Sequence, residues 1–450
     1  MIKLQRLRIT RYRNVLPGTE LRLDGHVNLV LGEPGAGKTM LLGLLAAIAG
    51  SDFSRLEAEP FDLTYDVSDG VFAATVVIRG DGLPPRSPVD GLPEPTNYAY
   101  RVSVHRVGGE PVCEFTGTPE ALLVRVTGTA EPRRLPPSAP FRRGFLTQAL
   151  RQPPAAALFF GAWRLFNWHG TAARFDESLD CFLAMTGRPP ALRGDALPLP
   201  AEAVFSFDPR SALRTSTLYS VAHYLPGGAI DRAIVDAHRS AAGETRLGDD
   251  LEATPSAALS SLDFLRRVAP ILGFRGASFQ PDVSSYRAER STGELHYSVR
   301  GFTFRFTRSD GTTLHHDALS YGQKRLLAFF YYLAASEEFV FADGLVHGLP
   351  DAWISACVHA MGARQAFITG QDPRVLAHLG LDSLARVMAR VITCEVIRAA
   401  DGAEQLQWRT IQKDAAAEFL QRHVRETVEL PPSPASAVAP PADVDPTPAA

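Results

Sequence analysis

Lysine is the scarce residue of this 450-residue chain: it occurs only at Lys3, Lys38, Lys324 and Lys413, so arginine supplies nearly all of the 46 basic side chains. A GC-rich bacterial genome produces such a bias, and it marks the lysines that survive. An excess of one charge sign is missing too. The 46 basic residues meet 49 acidic ones, for a net charge of −3, which argues against a strongly basic nucleic-acid binder and leaves room only for a local basic groove. The four cysteines, Cys113, Cys181, Cys357 and Cys394, show no C-x-x-C spacing. Neither a disulfide framework nor a thiolate metal site is expected, and the thiols read as reduced ones of a cytoplasmic protein. Long apolar runs are absent. The longest, Met40–Ala49, falls well short of the roughly 20 residues that cross a membrane, so no membrane partner is expected. The opening MIKLQRLRITRYRN alternates charged with apolar residues and does not read as a signal peptide. No heptad array is long enough to build a coiled-coil arm. What remains is a 45% hydrophobic chain of a length that supports two or three domains with sizeable cores.

The most informative stretch is VNLVLGEPGAGKTMLLGLLAAI, Val27 to Ile48. It reads as a buried strand, a glycine-rich turn and an apolar helix in unbroken succession. Gly32, Gly37, Lys38 and Thr39 fill the fixed positions of G-x-x-x-x-G-K-[ST], with Gly35 inside the turn. This is a P-loop. Wrapping a phosphate chain with backbone N–H groups needs glycine wherever a Cβ would block close approach or forbid the backbone angles. The helix N-terminus adds partial positive charge, Lys38 serves the β- and γ-phosphates, and the Thr39 hydroxyl is a Mg²⁺ ligand. The expected cofactors are ATP and Mg²⁺.

Around this motif the chain divides as 1–50, the N-terminal part of the core; 51–150, short β-rich segments with proline-rich connections; 151–300, a buried strand at Ala155–Arg164 followed by a mainly helical insertion; 301–428, the C-terminal part of the core; and 429–450, a disordered tail with seven prolines from residue 431 on. Residues 2–13 read as an edge or half-exposed strand. Its arginines Arg6, Arg8, Arg11 and Arg13 suit either a DNA contact or a solvated face, and the solvated face is the commoner outcome. Phe302–Arg308 and Thr312–His315 form a hairpin around Asp310-Gly311. Phe339–Ala342 is a short strand ending at Asp343, Trp353–Met361 an amphipathic helix, and Gln365–Thr369 a strand leading into Gly370-Gln371-Asp372-Pro373. Val387–Arg398 and Glu404–Thr410 are β-rich, and the helix Asp414–Val428 closes the folded part.

An N-terminal P-loop, a large insertion, LSYGQKR at Leu319–Arg325, a strand ending in Asp343 and a final strand before a T-x-x-x-P turn together resemble the ABC-like P-loop ATPases of the SMC, RecF and OLD type. The likeness covers about residues 1–50 and 300–410, and the fold it implies is α/β, a P-loop NTPase of the ABC-ATPase head type. It further implies that Ser320, Gly322 and Gln323 are a signature motif that binds the γ-phosphate held by a second subunit, hence a homodimer on ATP binding, and that Asp343 directs Mg²⁺. A hydroxyl, a glycine and free N–H groups at a helix start suit an anion in any case.

Two departures bear on chemistry. Where the family places a catalytic glutamate after the Mg²⁺-directing aspartate, this chain has Gly344, and where it places a γ-phosphate-sensing histidine, this chain has Gln371. Glutamine can hydrogen-bond a phosphate or a water but cannot take a proton. Lys38, Asp343 and Gln371 are thus the candidate catalytic residues, with Asp372 or His347 as substitute bases. Two function classes compete: a nucleotide-gated dimerising module with slow or absent hydrolysis, and a working ATPase driving DNA processing, phage defence or a co-encoded effector. A nuclease fits poorly, because no cluster of carboxylates for a two-metal site follows Pro373.

Overall fold

The computed structural model describes residues 1–50, 53, 56, 59–82, 98–109, 111–118, 121–126, 133–135, 203–208, 213–216, 263–288, 295–336, 338–345, 348–370, 373–399 and 402–429. Among these residues the chain forms three sheets.

The sheet that carries the P-loop has five strands: β3 (Val27–Gly32), β15 (Phe339–Ala342), β16 (Gln365–Thr369), β17 (Val391–Arg398) and β18 (Glu404–Thr410). Their order is β15-β16-β3-β17-β18, parallel except for β18, which runs antiparallel to β17. Alternation along each strand sends side chains to opposite faces. Val30, Phe339, Phe341, Phe367, Ile392 and Cys394 enter one core, where the rings of Phe341 and Phe367 stack at 5.2 Å and 7°. Leu29, Val340, Ala342, Ala366, Ile368 and Val391 enter the other. Both faces are covered at the centre of the sheet, so β3, β15 and β16 read as nearly continuous apolar runs, whereas β18 at the edge alternates.

On the first face lie α1 (Lys38–Gly50) and an antiparallel eight-stranded sheet. That sheet is ordered β2-β1-β4-β5-β6-β7-β8-β9, from β1 (Lys3–Tyr12), β2 (Thr19–Arg22), β4 (Pro60–Ser68), β5 (Phe72–Asp81), β6 (Tyr98–Arg106), β7 (Pro111–Thr118), β8 (Ala121–Val126) and β9 (Arg133–Leu135). β1 is therefore not an edge strand. It pairs with β2 on one side and β4 on the other, and its inward residues Leu4, Leu7 and Ile9 are fully buried. The sheet also runs across residue 50 without a break. Arg6 pairs with Asp66 at 2.7 Å, and Arg13 grips Glu59 through two hydrogen bonds of 2.6 and 2.8 Å; these two arginines are spent within the sheet's own surface. Buried Gln365 fastens the sheets together: its amide accepts from Leu4 N–H at 2.8 Å and donates to the carbonyls of Leu4 and Asp24 at 2.7 Å.

The second face carries α2 (Asp263–Ile271), α3 (Tyr321–Ala335), α4 (Asp351–Met361), α5 (Pro373–His378), α6 (Leu384–Arg390) and α7 (Lys413–Glu429). In α3 every residue from Leu326 to Leu333 is buried, as expected of a helix covered on all sides. Beside it a third sheet is ordered β11-β10-β13-β12, from β10 (Ala203–Asp208), β11 (Leu213–Ser216), β12 (Gly276–Ala288) and β13 (Leu295–Thr307), with β14 (Thr313–His315) also paired to β13. The expected hairpin is present as β13–β14. Within 151–300 the described residues form α2 and the strands β10, β11, β12 and the start of β13, whose pairing is long-range, Phe279 standing opposite Phe304. The segment Ala155–Arg164 and residues 430–450 lie outside the described residues.

Candidate functional site

The P-loop leaves β3 at Gly32 and crosses the first face of its sheet. At Gly32 an added Cβ would stand 2.3 Å from the Cys394 carbonyl oxygen of β17; at Gly37 it would stand 2.7 Å from Leu406 Cδ1 and 3.3 Å from Trp408 Nε1 of β18. Gly37 also has a φ of +80°, a region L side chains rarely enter. Gly35 lies between them with open space on its Cβ side. Ala36 N–H closes the turn on the Glu33 carbonyl at 3.2 Å, and Leu41 N–H bonds the Gly37 carbonyl at 2.9 Å, which begins α1. The first N–H groups of that helix have no acceptor within it. Lys38 folds its ammonium back onto the carbonyls of Gly32 and Glu33, 2.8 Å from each. Its partners there are neutral, so its charge is left for an anion.

Two other elements end beside this loop. The strand carrying Asp343, β15, is not next to β3; β16 lies between them. Thr369 at the end of β16 therefore stands where it can reach Asp343. Thr39 Oγ1 donates to Asp343 Oδ2 at 2.5 Å, and Thr369 Oγ1 donates to Asp343 Oδ1. The Thr369 hydroxyl in turn accepts from Gly344 N–H at 2.9 Å. The Gly344 carbonyl accepts from buried Arg325 of α3 at 2.5 Å, and the same guanidinium reaches Leu345 O at 3.4 Å. Gly344, with φ +57°, is thus held on both sides. A carboxylate flanked by two hydroxyls is an all-oxygen donor set of the hard kind that suits Mg²⁺, and the glycine loop with the Lys38 ammonium, bonded there only to neutral carbonyls, suits a polyphosphate. The residues fit the ATP and Mg²⁺ expected from the sequence.

Gly32, Gly35, Gly37, Lys38, Thr39 and Asp343 thus come together. Ser320, Gly322 and Gln323 stand apart from them, at the start of α3. Ser320 is the N-cap: Gln323 N–H bonds its hydroxyl at 3.3 Å, while the Gln323 side chain accepts from Ser320 N–H at 2.9 Å, a reciprocal capping box. Gly322 gives room for the Gly348 carbonyl, which would be 2.8 Å from a Cβ. Ser320 and Tyr321 are exposed. Gln371, Asp372 and His347 lie outside the described residues. Just before the cap, His315, His316 and Asp317 gather within metal-ligand spacing. However, His316 Nδ1 accepts from Phe304 N–H at 3.0 Å, so the neutral ring carries its proton on Nε2, the nitrogen facing Asp317, and that nitrogen has no lone pair for a metal.

Sequence reasoning missed the roles of Thr369, Arg325 and Trp408. Thr369 had a signal, since it ends an apolar strand immediately before the turn. For Arg325 and Trp408 the only hint was their type, a charged or an indole side chain inside an apolar pattern.

No protein-family model matches the chain, and no curated protein matches it. Among solved structures it is similar to an SMC head bound to the C-winged helix domain of ScpA, at 10% identity and a TM-score of 0.38 over 92% of this chain and 99% of that one. It is similar also to an Smc head domain with an extended coiled coil bound to the C-terminal domain of ScpA, derived from Pyrococcus furiosus, at 13% identity and 0.32 over 94% and 100%. The SMC head domain from Thermotoga maritima follows at 11% and 0.30 over 90% and 98%. At scores below 0.5 this likeness assigns nothing to particular residues. No helix among the described residues is long and apolar enough to cross a membrane.

Proposed function

We propose that this chain is an ATP-binding head of the ABC-like ATPase kind, a cytoplasmic nucleotide-gated module that dimerises on binding ATP and hydrolyses it slowly or not at all. The observation that carries the reading is the linked set Thr39–Asp343–Thr369–Gly344 at the mouth of the P-loop. Lys38 and the loop N–H groups hold the phosphates, and Thr39 and Asp343 hold the metal. Bound Mg²⁺ supplies charge neutralisation of the phosphates. Gly344 follows Asp343 with no side chain, so no general base stands at that point. Such assistance contributes about 10²–10⁴-fold in rate, and without it the ATP-bound state is long-lived. The exposed Ser320 cap offers a hydroxyl and a helix N-terminus to a nucleotide held by a second copy. A bacterial DNA-related or phage-defence complex, with a co-encoded effector, is the setting such a module suits.

Phosphate release and sedimentation with and without Mg·ATP test this together. The reading expects slow release and an ATP-dependent dimer that Ser320→Arg abolishes while monomer affinity for ATP stays within about twofold. An ATP-dependent dimer that survives Ser320→Arg sinks the trans contact. Rapid turnover abolished by replacing Asp372 or His347 establishes the working ATPase instead.

A further inference from the structure

Trp408 is 1% exposed and sits at the inner face of β18, two strands away from the strand that launches the P-loop. Register explains how it reaches the loop: Gly32 pairs with Cys394, and Cys394 with Trp408, so the three form one row across the sheet. The loop runs along this row, starting against Cys394 and arriving at Gly37 against Leu406 and Trp408. There the indole Nε1–H donates to the Ala36 carbonyl at 3.3 Å. All described peptides are trans, and in a trans peptide the C=O and N–H point in opposite directions. Fixing the Ala36 oxygen on the indole therefore turns Gly37 N–H away from Trp408.

We propose that Trp408 is a positioning residue of the nucleotide site, its indole N–H locking the Ala36–Gly37 peptide so that Gly37 N–H is presented to a bound polyphosphate. The inference rests on the nucleotide-binding reading above and names a residue that reading did not include. β18 is itself tied down from the far side. Leu16 N–H bonds Leu406 O and Leu406 N–H bonds Asn14 O, each at 2.8 Å, while the Tyr12 ring lies 6.5 Å from the indole. The segment joining β1 to β2 thereby braces the strand that braces the loop.

The test is calorimetric titration of the full chain with Mg·ATP, comparing the natural protein, Trp408→Phe and a control. Phenylalanine keeps a ring in the core and deletes the donor. A hydrogen bond of ordinary net strength predicts an affinity loss of about three- to tenfold. Phe61→Leu, in the same core among Phe53 and Tyr98, lowers the unfolding temperature without touching the loop and is expected to bind ATP as the natural chain does. Equal affinity in Trp408→Phe overturns the proposal, and so does an equal loss in Phe61→Leu, which would make the effect one of general destabilisation. If Trp408→Phe does not fold, a chain keeping Trp408 as its single tryptophan, with Trp163, Trp168 and Trp353 replaced by Phe, decides by emission: ATP must change the indole fluorescence, and binding without such a change overturns the proposal. Absence of binding by the natural chain is a different failure, that of the nucleotide-binding reading itself, and this inference falls with it.

Discussion

Replacing Gly344 by glutamate restores a carboxylate to the position where the resemblance expects a base, and the structure sets what this does. Gly344 has φ +57°, where an L side chain costs about 1–2 kcal/mol. The backbone cannot relax cheaply, because its N–H is bonded to Thr369 Oγ1 at 2.9 Å and its carbonyl to Arg325 at 2.5 Å. Escape would sacrifice both, at about 0.5–1.5 kcal/mol for an ordinary bond and more for the charged one. The strained form is therefore the less costly, and Gly344→Glu should lose about 1–2 kcal/mol, or about 2–8 °C in unfolding temperature for a domain of 150–250 residues. Gly344→Ala should lose the same amount, and Gly344→Asn less, since asparagine tolerates this region. Phosphate release by the natural chain should be slow. Gly344→Glu should raise it by less than the full 10²–10⁴-fold of a well-placed base, because the left-handed backbone aims the new side chain away from the direction an ordinary residue would take. Scanning calorimetry with a continuous phosphate assay measures both quantities. Unchanged unfolding temperatures for the Glu and Ala variants would refute the backbone argument, and brisk turnover by the natural chain would refute the chemical one.

Thr369→Val removes a donor to Asp343 and an acceptor for Gly344 N–H; it should cost about 1–3 kcal/mol of stability and weaken the magnesium dependence of ATP binding more than ATP binding without the metal. Cys113 and Cys394 are buried, and burial pushes both thiols up to about 12; buried Cys357 is raised in the same direction. At pH 8 all three are thiols rather than thiolates, so a disulfide reagent should leave them unmodified until the chain unfolds. Prompt reaction of two or more of the four thiols in the native protein would contradict this burial.

The parts of the site encoded locally were legible in the sequence. The P-loop announces itself because its G-x-x-x-x-G-K-[ST] spacing lies within one short stretch, and β15, β16 and the hairpin β13–β14 are bounded by turn residues close at hand. Ser320 and Gln323 carried a capping-box spacing that marks a helix start whatever else they do. What escaped was long-range. β1 alternates like an exposed strand, yet its outer neighbour β4 begins some fifty residues later, and nothing in residues 2–13 records that pairing. Trp408 and Thr369 owe their roles to the row of residues they occupy across the sheet, which depends on strand order. Gly344 was visible as a departure from the pattern of the family the sequence resembles, but its positive φ is held by Thr369 and Arg325 gripping it from two other elements.

The central claim, that residues 32–39 bind a nucleotide, is tested most directly by calorimetric titration of the natural chain and of Lys38→Ala with Mg·ATP. Lys38 leaves only its two carbonyl bonds, to Gly32 and Glu33, when it engages a phosphate, so its loss should spare the fold and remove several kcal/mol of binding, about a hundredfold or more in affinity. Saturable binding by the natural chain with none measurable in the variant is the predicted result. Equal affinity in the two proteins, or no binding by either, would contradict it.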